Sequence, residues 1–132
     1  YKKQFDRFNN NWKNAIQRWE NSAKSLKGKP IIVHHKSFSY LVDWLQLKQI
    51  ATLEPKPGIA PTVSYLSKLL QKINNINVDI IIRTPYDSSK ASKWMTEKTN
   101  IPNVILPYTI NEDDIDNLYK LFDRSIFILN NQ

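Results

Sequence analysis

Pro30-Ile31-Ile32-Val33-His34-His35-Lys36-Ser37-Phe38-Ser39-Tyr40-Leu41 is the stretch that decides the fold. The β-branched run Ile31, Ile32, Val33 predicts a buried strand, and Ser37 followed by Phe38, Leu41, Trp44 and Leu45 predicts a capped helix. Both histidines of the chain therefore fall where a strand ends and a helix begins. In open α/β sheets that edge binds ligands. Successive strand residues point to opposite faces, so His34 and His35 cannot both serve one ligand while the extended geometry persists. One of the two is then a packing residue.

Downstream the pattern repeats. Gln49 to Leu53 predicts a second strand, and Glu54 to Thr62 is a proline-rich loop. Pro61 suits the first turn of a helix carrying Val63, Leu66, Leu69, Leu70 and Ile73. Val78 to Ile82 is the third strand, apolar except for Asp79, as expected when both faces are covered. Ala91, Trp94 and Met95 mark a short helix with Ser88 or Ser89 as its cap, and Asn103 to Leu106 is the fourth strand. Asn111 is expected to cap the last helix, with Glu112, Asp113 and Asp114 where the helix dipole favours acids. Ile115, Leu118, Phe122, Ser125 and Ile126 continue that helix.

Upstream, Phe5, Phe8, Trp12, Ile16, Trp19, Ala23 and Leu26 recur at steps of three and four, the apolar stripe of a long amphipathic helix. A long helix followed by four strand-helix units demands parallel strands with right-handed crossovers. The expected fold is therefore α/β: a three-layer α/β/α domain with a four-stranded parallel sheet in the order 2-1-3-4, the first helix packed outside as a spine.

The net charge of +7 is unevenly spread. Up to Lys48, ten Lys or Arg oppose three Asp or Glu; from Gln49 onward nine oppose nine, so the excess lies on the first helix and its exit. Lys2, Lys3, Arg7, Lys13, Arg18 and Lys24 ride on the circumference left free by the stripe and read as its solvated face. The aromatic residues that would stack on bases are those of the stripe itself, which argues against a nucleic-acid platform. The absence of cysteine excludes disulfide scaffolds and thiolate zinc sites. With only Gly28 and Gly58, neither a phosphate-cradling loop nor a dinucleotide fingerprint can be built. The chain starts at Tyr1 inside a helical pattern and is expected to be a piece of a longer protein.

The ligand edge of such a sheet would display His35, then Glu54 with its loop, then Arg83 with Tyr86 and Asp87, then Tyr108 to Asp114. A histidine among carboxylates suits zinc or another divalent first-row metal. Only one histidine can point inward, fewer than the three or four protein ligands zinc takes, so a partial site facing a missing upstream part is expected. A cation at Arg83 beside a dication is unfavourable unless it pairs with an acid such as Glu54 or Asp87. Two other readings use the same residues: an enzyme domain with His35 as general base and Glu54 or Asp87 as its orienter, and a polyanion binder working through the basic first helix.

Val33 to Leu41, Asp43-Trp44-Leu45, Ala51 to Thr62, Ile82 to Tyr86, Ile101 to Thr109 and the closing Leu121-Phe122-Asp123 together resemble the C-terminal lobe of the cluster A-I substrate-binding proteins. These are receptors for zinc and manganese in bacterial ABC importers, periplasmic or lipid-anchored outside the cytoplasmic membrane, with adhesin-like lipoproteins among them. The resemblance implies that residues 1–28 are the C-terminal part of a helix connecting two lobes. Residues 29–132 would then be the C-terminal lobe, the N-terminal lobe being absent. It implies binding without catalysis, with Zn2+ more than Mn2+ as the ion, held only partly by this chain, and a membrane permease and the other lobe as partners in place of nucleic acid. His35 matches the family's ligand position when Phe38 and Tyr40 are aligned with its aromatic pair, and His34 falls on the preceding position, usually not a ligand. Where many members carry a fourth ligand, Asp, this chain has Ile110; Glu112 or Asp113 would replace it only through a shift of the loop, and water would serve otherwise. Arg83 stands where many members have Glu. His34, Glu54, Arg83 and Tyr108 would line the cleft or support the ligand.

Overall fold

The computed structural model describes residues 1–132. Helix α1 (Lys2–Ser22) is followed by β1 (Pro30–Val33), α2 (Ser39–Trp44), β2 (Lys48–Thr52), α3 (Val63–Ile73), β3 (Ile80–Arg83), α4 (Lys90–Thr99), β4 (Asn103–Ile105) and α5 (Leu118–Asn130). The four strands form one parallel sheet in the order β2-β1-β3-β4, as the sequence predicts. β1 and β3 lie at its centre, and their aliphatic runs are fully buried because helices cover both faces.

The pleat divides the core in two. Ile31, Val33, Ile80 and Ile82 join Trp19 and Leu26, Val42 of α2, and Ile126 and Leu129 of α5 on one face. Ile32 and Ile81 join Leu66, Leu69 and Ile73 of α3, and Ala91 and Met95 of α4 on the other. The first face carries an aromatic cluster in which Trp19 meets Phe122 at 5.0 Å, Trp12 at 5.4 Å and Trp44 at 6.1 Å between ring centroids. The indole nitrogen of buried Trp19 donates to Asp123 Oδ1 at 2.6 Å, so the ring enters the core without an orphaned donor.

The long stripe of α1 is present, but only its C-terminal half covers the sheet. Phe5 and Phe8 remain 56% and 55% exposed, because no other part of this chain packs against the first two turns. The helix stops at Ser22, and Leu26 reaches the core from a separate 3-10 turn, Lys24–Leu26. Gly28 then takes φ +78°, and its N–H donates to the carbonyl of Gln46, itself at φ +56°. Two left-handed residues thus tie the exits of α1 and α2 together.

Three expected helix starts are displaced. Ser37 does not cap α2; Lys36–Phe38 forms a 3-10 turn and Ser39 Oγ donates back to the Lys36 carbonyl. Pro61 precedes the first turn of α3, since Thr62 supplies the cap, its Oγ1 accepting from Tyr65 N at 3.2 Å. Val63, on the predicted apolar side, is consequently left exposed at the helix start. Asn111 and Asp113 adopt φ of +66° and +49° in a tight turn closed by a Glu112–Ile115 bridge, so the acids from Glu112 to Asp114 lie before α5 and not in its first turn. The true cap is Asn117, whose Oδ1 accepts from Lys120 N at 3.0 Å.

Asn117→Ala is expected to lower the free energy of unfolding by about 1 kcal/mol. Asn111→Gly, which keeps the left-handed conformation accessible, should leave it nearly unchanged. Urea titration of both variants followed by circular dichroism checks the assignment.

Candidate functional site

Backbone pairing continues one residue past the end of β1 and two past the end of β2, and places the first residues of the site. His34 N donates to Ile82 O at 2.8 Å, and Glu54 N donates to His34 O at 3.1 Å. His35 keeps extended geometry, φ −135° and ψ 159°, so the two histidines diverge as the alternation predicts. His34 is buried, 5% exposed, while the side chain of His35 is 38% exposed.

The Glu54 carboxylate bridges them. Its Oε2 is hydrogen-bonded to His35 Nδ1, and its Oε1 lies 4.0 Å from His34 Nε2. Gly58 N also donates to Oε2 at 3.4 Å, folding the proline-rich loop over the carboxylate. The strand end beneath is held from two sides: Thr52 Oγ1 donates to Glu54 O, and Tyr65 of α3 donates from its hydroxyl to Thr52 O, both at 2.8 Å. With Nδ1 engaged by a carboxylate, the proton of a neutral His35 ring sits on Nδ1 and its Nε2 presents a lone pair. A carboxylate behind a histidine in this way fixes the tautomer and orients the ring for a metal. The sequence pointed to Glu54 as an orienter of His35; Asp87, the other candidate, does not approach. Tyr65 was not singled out, because its part is played through a hydroxyl on the first turn of α3 that no motif marks.

Arg83 pairs with neither Glu54 nor Asp87, the two acids that would offset it beside a dication. Its Nη1 donates to the backbone carbonyls of Thr84 at 3.0 Å and Asp87 at 3.1 Å, and no carboxylate lies within 4.0 Å. The Asp87 carboxylate is spent inside its own turn, where Oδ2 accepts from Thr84 N at 2.9 Å. Short Asp turns satisfy their own amides first.

The last loop is self-contained as well. Glu112 accepts from Tyr108 N at 3.0 Å and Thr109 N at 3.3 Å, one bond to each of its oxygens. Asp113 follows in a left-handed turn. Neither residue joins His35 in a group of three or more His, Cys, Asp or Glu able to hold a metal, and no such group occurs in the structure. Tyr108 packs edge-on against Phe38 at 6.1 Å and Tyr86 at 6.4 Å, linking three of the four loops, with Ile110 exposed beside it. The hydrogen bond and negative charge of Glu112 hold the Tyr86 phenol above its ordinary value.

Solved structures with this fold have in common that the chain spans about half their length. One described as a crystal structure of ZnuA superposes with a TM-score of 0.77 at 18% identity, over 99% of this chain and 47% of that one. The laminin-binding protein Lmb of Streptococcus agalactiae gives 0.72 at 19%, over 100% of this chain and 52% of its own. The substrate-binding protein FpvC from Pseudomonas aeruginosa, in complex with Mn2+, gives 0.65 at 17%, over 92% and 47%. A search of curated proteins gives no match. The family model for the periplasmic zinc-uptake complex component A matches residues 1–125, and the chain belongs to that family.

Glu112→Gln removes the charge beside Tyr86, and the pKa of that phenol should fall back toward about 10. Titration of the tyrosine ring resonances by NMR reads this directly; an unchanged value would mean that Glu112 does not reach Tyr86 in solution.

Proposed function

We propose that this chain is the C-terminal lobe of a metal-capturing receptor that delivers its ion to an ABC importer outside the cytoplasmic membrane. Zinc is the cargo, and His35 is the ligand contributed by this lobe. Residues 1–28 form the end of the helix that joins the lobes together with the turn that leaves it, and residues 29–132 form the lobe itself. The single observation that carries this reading is the Glu54–His35 pair, which leaves Nε2 of a half-exposed ring free at the ligand-binding edge of the sheet.

Other features agree with it. One nitrogen is too few for zinc, so the remaining ligands come from outside residues 1–132, in keeping with a chain that spans 47% of the ZnuA structure. The exposed Phe5 and Phe8 give the first turns of α1 an apolar face suited to packing on a second lobe. Arg83 is held by backbone carbonyls and Glu112 by backbone amides, which leaves Glu112 and Asp113 as weaker ligand candidates than His35. His34, Glu54 and Tyr108 act as supports. Capture is reversible coordination with no covalent change: the imidazole donates a lone pair to the ion, and the ion later leaves unchanged.

Zinc calorimetry on the protein carrying both lobes tests the assignment. Glu54→Gln keeps the shape and removes the charge behind the ring, and should weaken binding by about 10–100-fold. His35→Ala should cost more than that, and His34→Ala much less. Equal losses at His34 and His35, or none, would overturn the assignment; substrate turnover that survives chelation would instead favour His35 as a general base oriented by Glu54.

A further inference from the structure

The loop that carries Glu54 is closed by a residue outside it. Residues 53–61 leave β2 and return at the start of α3, and Tyr65 bonds both flanks of the excursion. Its N–H donates to Thr62 Oγ1 at 3.2 Å on one side, and its hydroxyl donates to Thr52 O at 2.8 Å on the other. The ring between these bonds packs against the core that contains Ile32, Leu66 and Leu69. β2 lies at the edge of the sheet with β1 as its one neighbour, so side chains complete the fixing of its end.

Thr52 passes the constraint on. Its carbonyl accepts the Tyr65 bond, and its Oγ1 donates to Glu54 O at 2.8 Å. Leu53 between them is fully buried, and its N–H donates to Val33 O at 2.9 Å. Glu54 N donates to His34 O at 3.1 Å, so the Glu54 backbone is held at its amide and at its carbonyl. From that backbone the carboxylate reaches His35 Nδ1. Gly58 N, at 3.4 Å from the same oxygen, is a long and weak second hold. The placement of the carboxylate therefore depends on a series of bonds that starts at a hydroxyl on α3. The consequence falls on the ring proton. With Glu54 in place, Nδ1 keeps the proton and Nε2 presents its lone pair; with Glu54 withdrawn, the proton can move to Nε2 and block it.

On the reading that makes His35 the ligand of this lobe, we propose that Tyr65 is a positioning residue for metal capture: through Thr52 and Glu54 it holds the His35 ring in the tautomer whose Nε2 accepts an ion. Tyr65 bonds directly to neither Glu54 nor His35. Its contribution is preorganisation, since a supporting group that drifts weakens binding without removing a ligand. The tautomer is set before any ion arrives.

Tyr65→Phe removes the hydroxyl and keeps the ring in its core, and Thr52→Val removes the next link with little change of shape; thermal unfolding verifies that both variants fold. Ring-nitrogen chemical shifts of His35, recorded by NMR on the metal-free protein carrying both lobes and above the histidine pKa range, read the tautomer directly. In the unaltered protein they should report a proton on Nδ1, and in both variants they should move toward a mixture of the two forms. Zinc calorimetry should show about three- to tenfold weaker binding for Tyr65→Phe, the range of one lost neutral hydrogen bond. Added to Glu54→Ala, Tyr65→Phe should cost nothing further, because the two act along one path. Ring shifts unchanged by Tyr65→Phe, or a loss that persists in full in the Glu54→Ala background, would overturn the proposal. Shifts that move as expected while His35→Ala leaves zinc binding intact would uphold the link from Tyr65 to the ring and overturn instead the assignment of His35 as ligand.

Discussion

The pleat of β1 is the constraint on which the structure depends. Ile31 and Val33 must enter the core shared by α1, α2 and α5, while Ile32 must enter the one shared by α3 and α4. A one-residue slip would send every one of these side chains to the wrong core. The strand is therefore pinned in register, and the two histidines that follow inherit its alternation: one is driven under α3 and α4, the other toward solvent at the edge. Their different environments follow from the three aliphatic residues before them.

Glu54 owes its place to the same register. β2 runs beside β1 with a shift between Ile31 and Ile32, and pairing carries on to Glu54 N and His34 O. A carboxylate leaving the neighbouring strand at that level has a histidine on either side of it. The Pro55-Lys56-Pro57-Gly58 turn closes over it, and Gly58, at φ +78°, can turn its N–H back to the carboxylate with no side chain to hinder it. Charges of the wrong sign for an incoming cation are kept occupied, Arg83 by carbonyls of its own loop. The edge is thus built from local turns that satisfy themselves, which leaves a single imidazole nitrogen to act on anything that approaches.

How much of this was legible in the sequence depended on the range of the signal. Strand order and parallel pairing follow from aliphatic runs separated by helical periods, and these were plain. Helix starts were not, because Asn111 and Asn117 are both Asn in polar surroundings, and only the tight turn around Glu112 decides between them. The diverging histidines could be read from period two alone. The Glu54 bridge could be read only in part: the residue stands at the exit of a strand, but the distance to each ring depends on the strand shift. The partners of Arg83 could not be read at all, since a guanidinium that finds two carbonyls in its own turn needs no acid. The apolar stripe of α1 marked a buried face correctly from Trp12 onward, yet a stripe carries no information about how far the partner surface extends.

The first and last helices meet. Asp123 receives the Trp19 indole, and Asn130 donates to the carbonyl of Ser22, across 104 and 108 residues of intervening sequence. Every strand pairing also spans a crossover, since no hairpin occurs in the sheet. A chain emerging in order from its N-terminus can assemble β1, β2 and the α3 side early, but α1 must wait with its aromatic row uncovered until α5 arrives. Such topologies fold slowly, and the exposed intermediate invites association. The thirteen residues of α5 are therefore the lock of the whole lobe, and deleting them would leave Trp12 and Trp19 open to any apolar surface they meet.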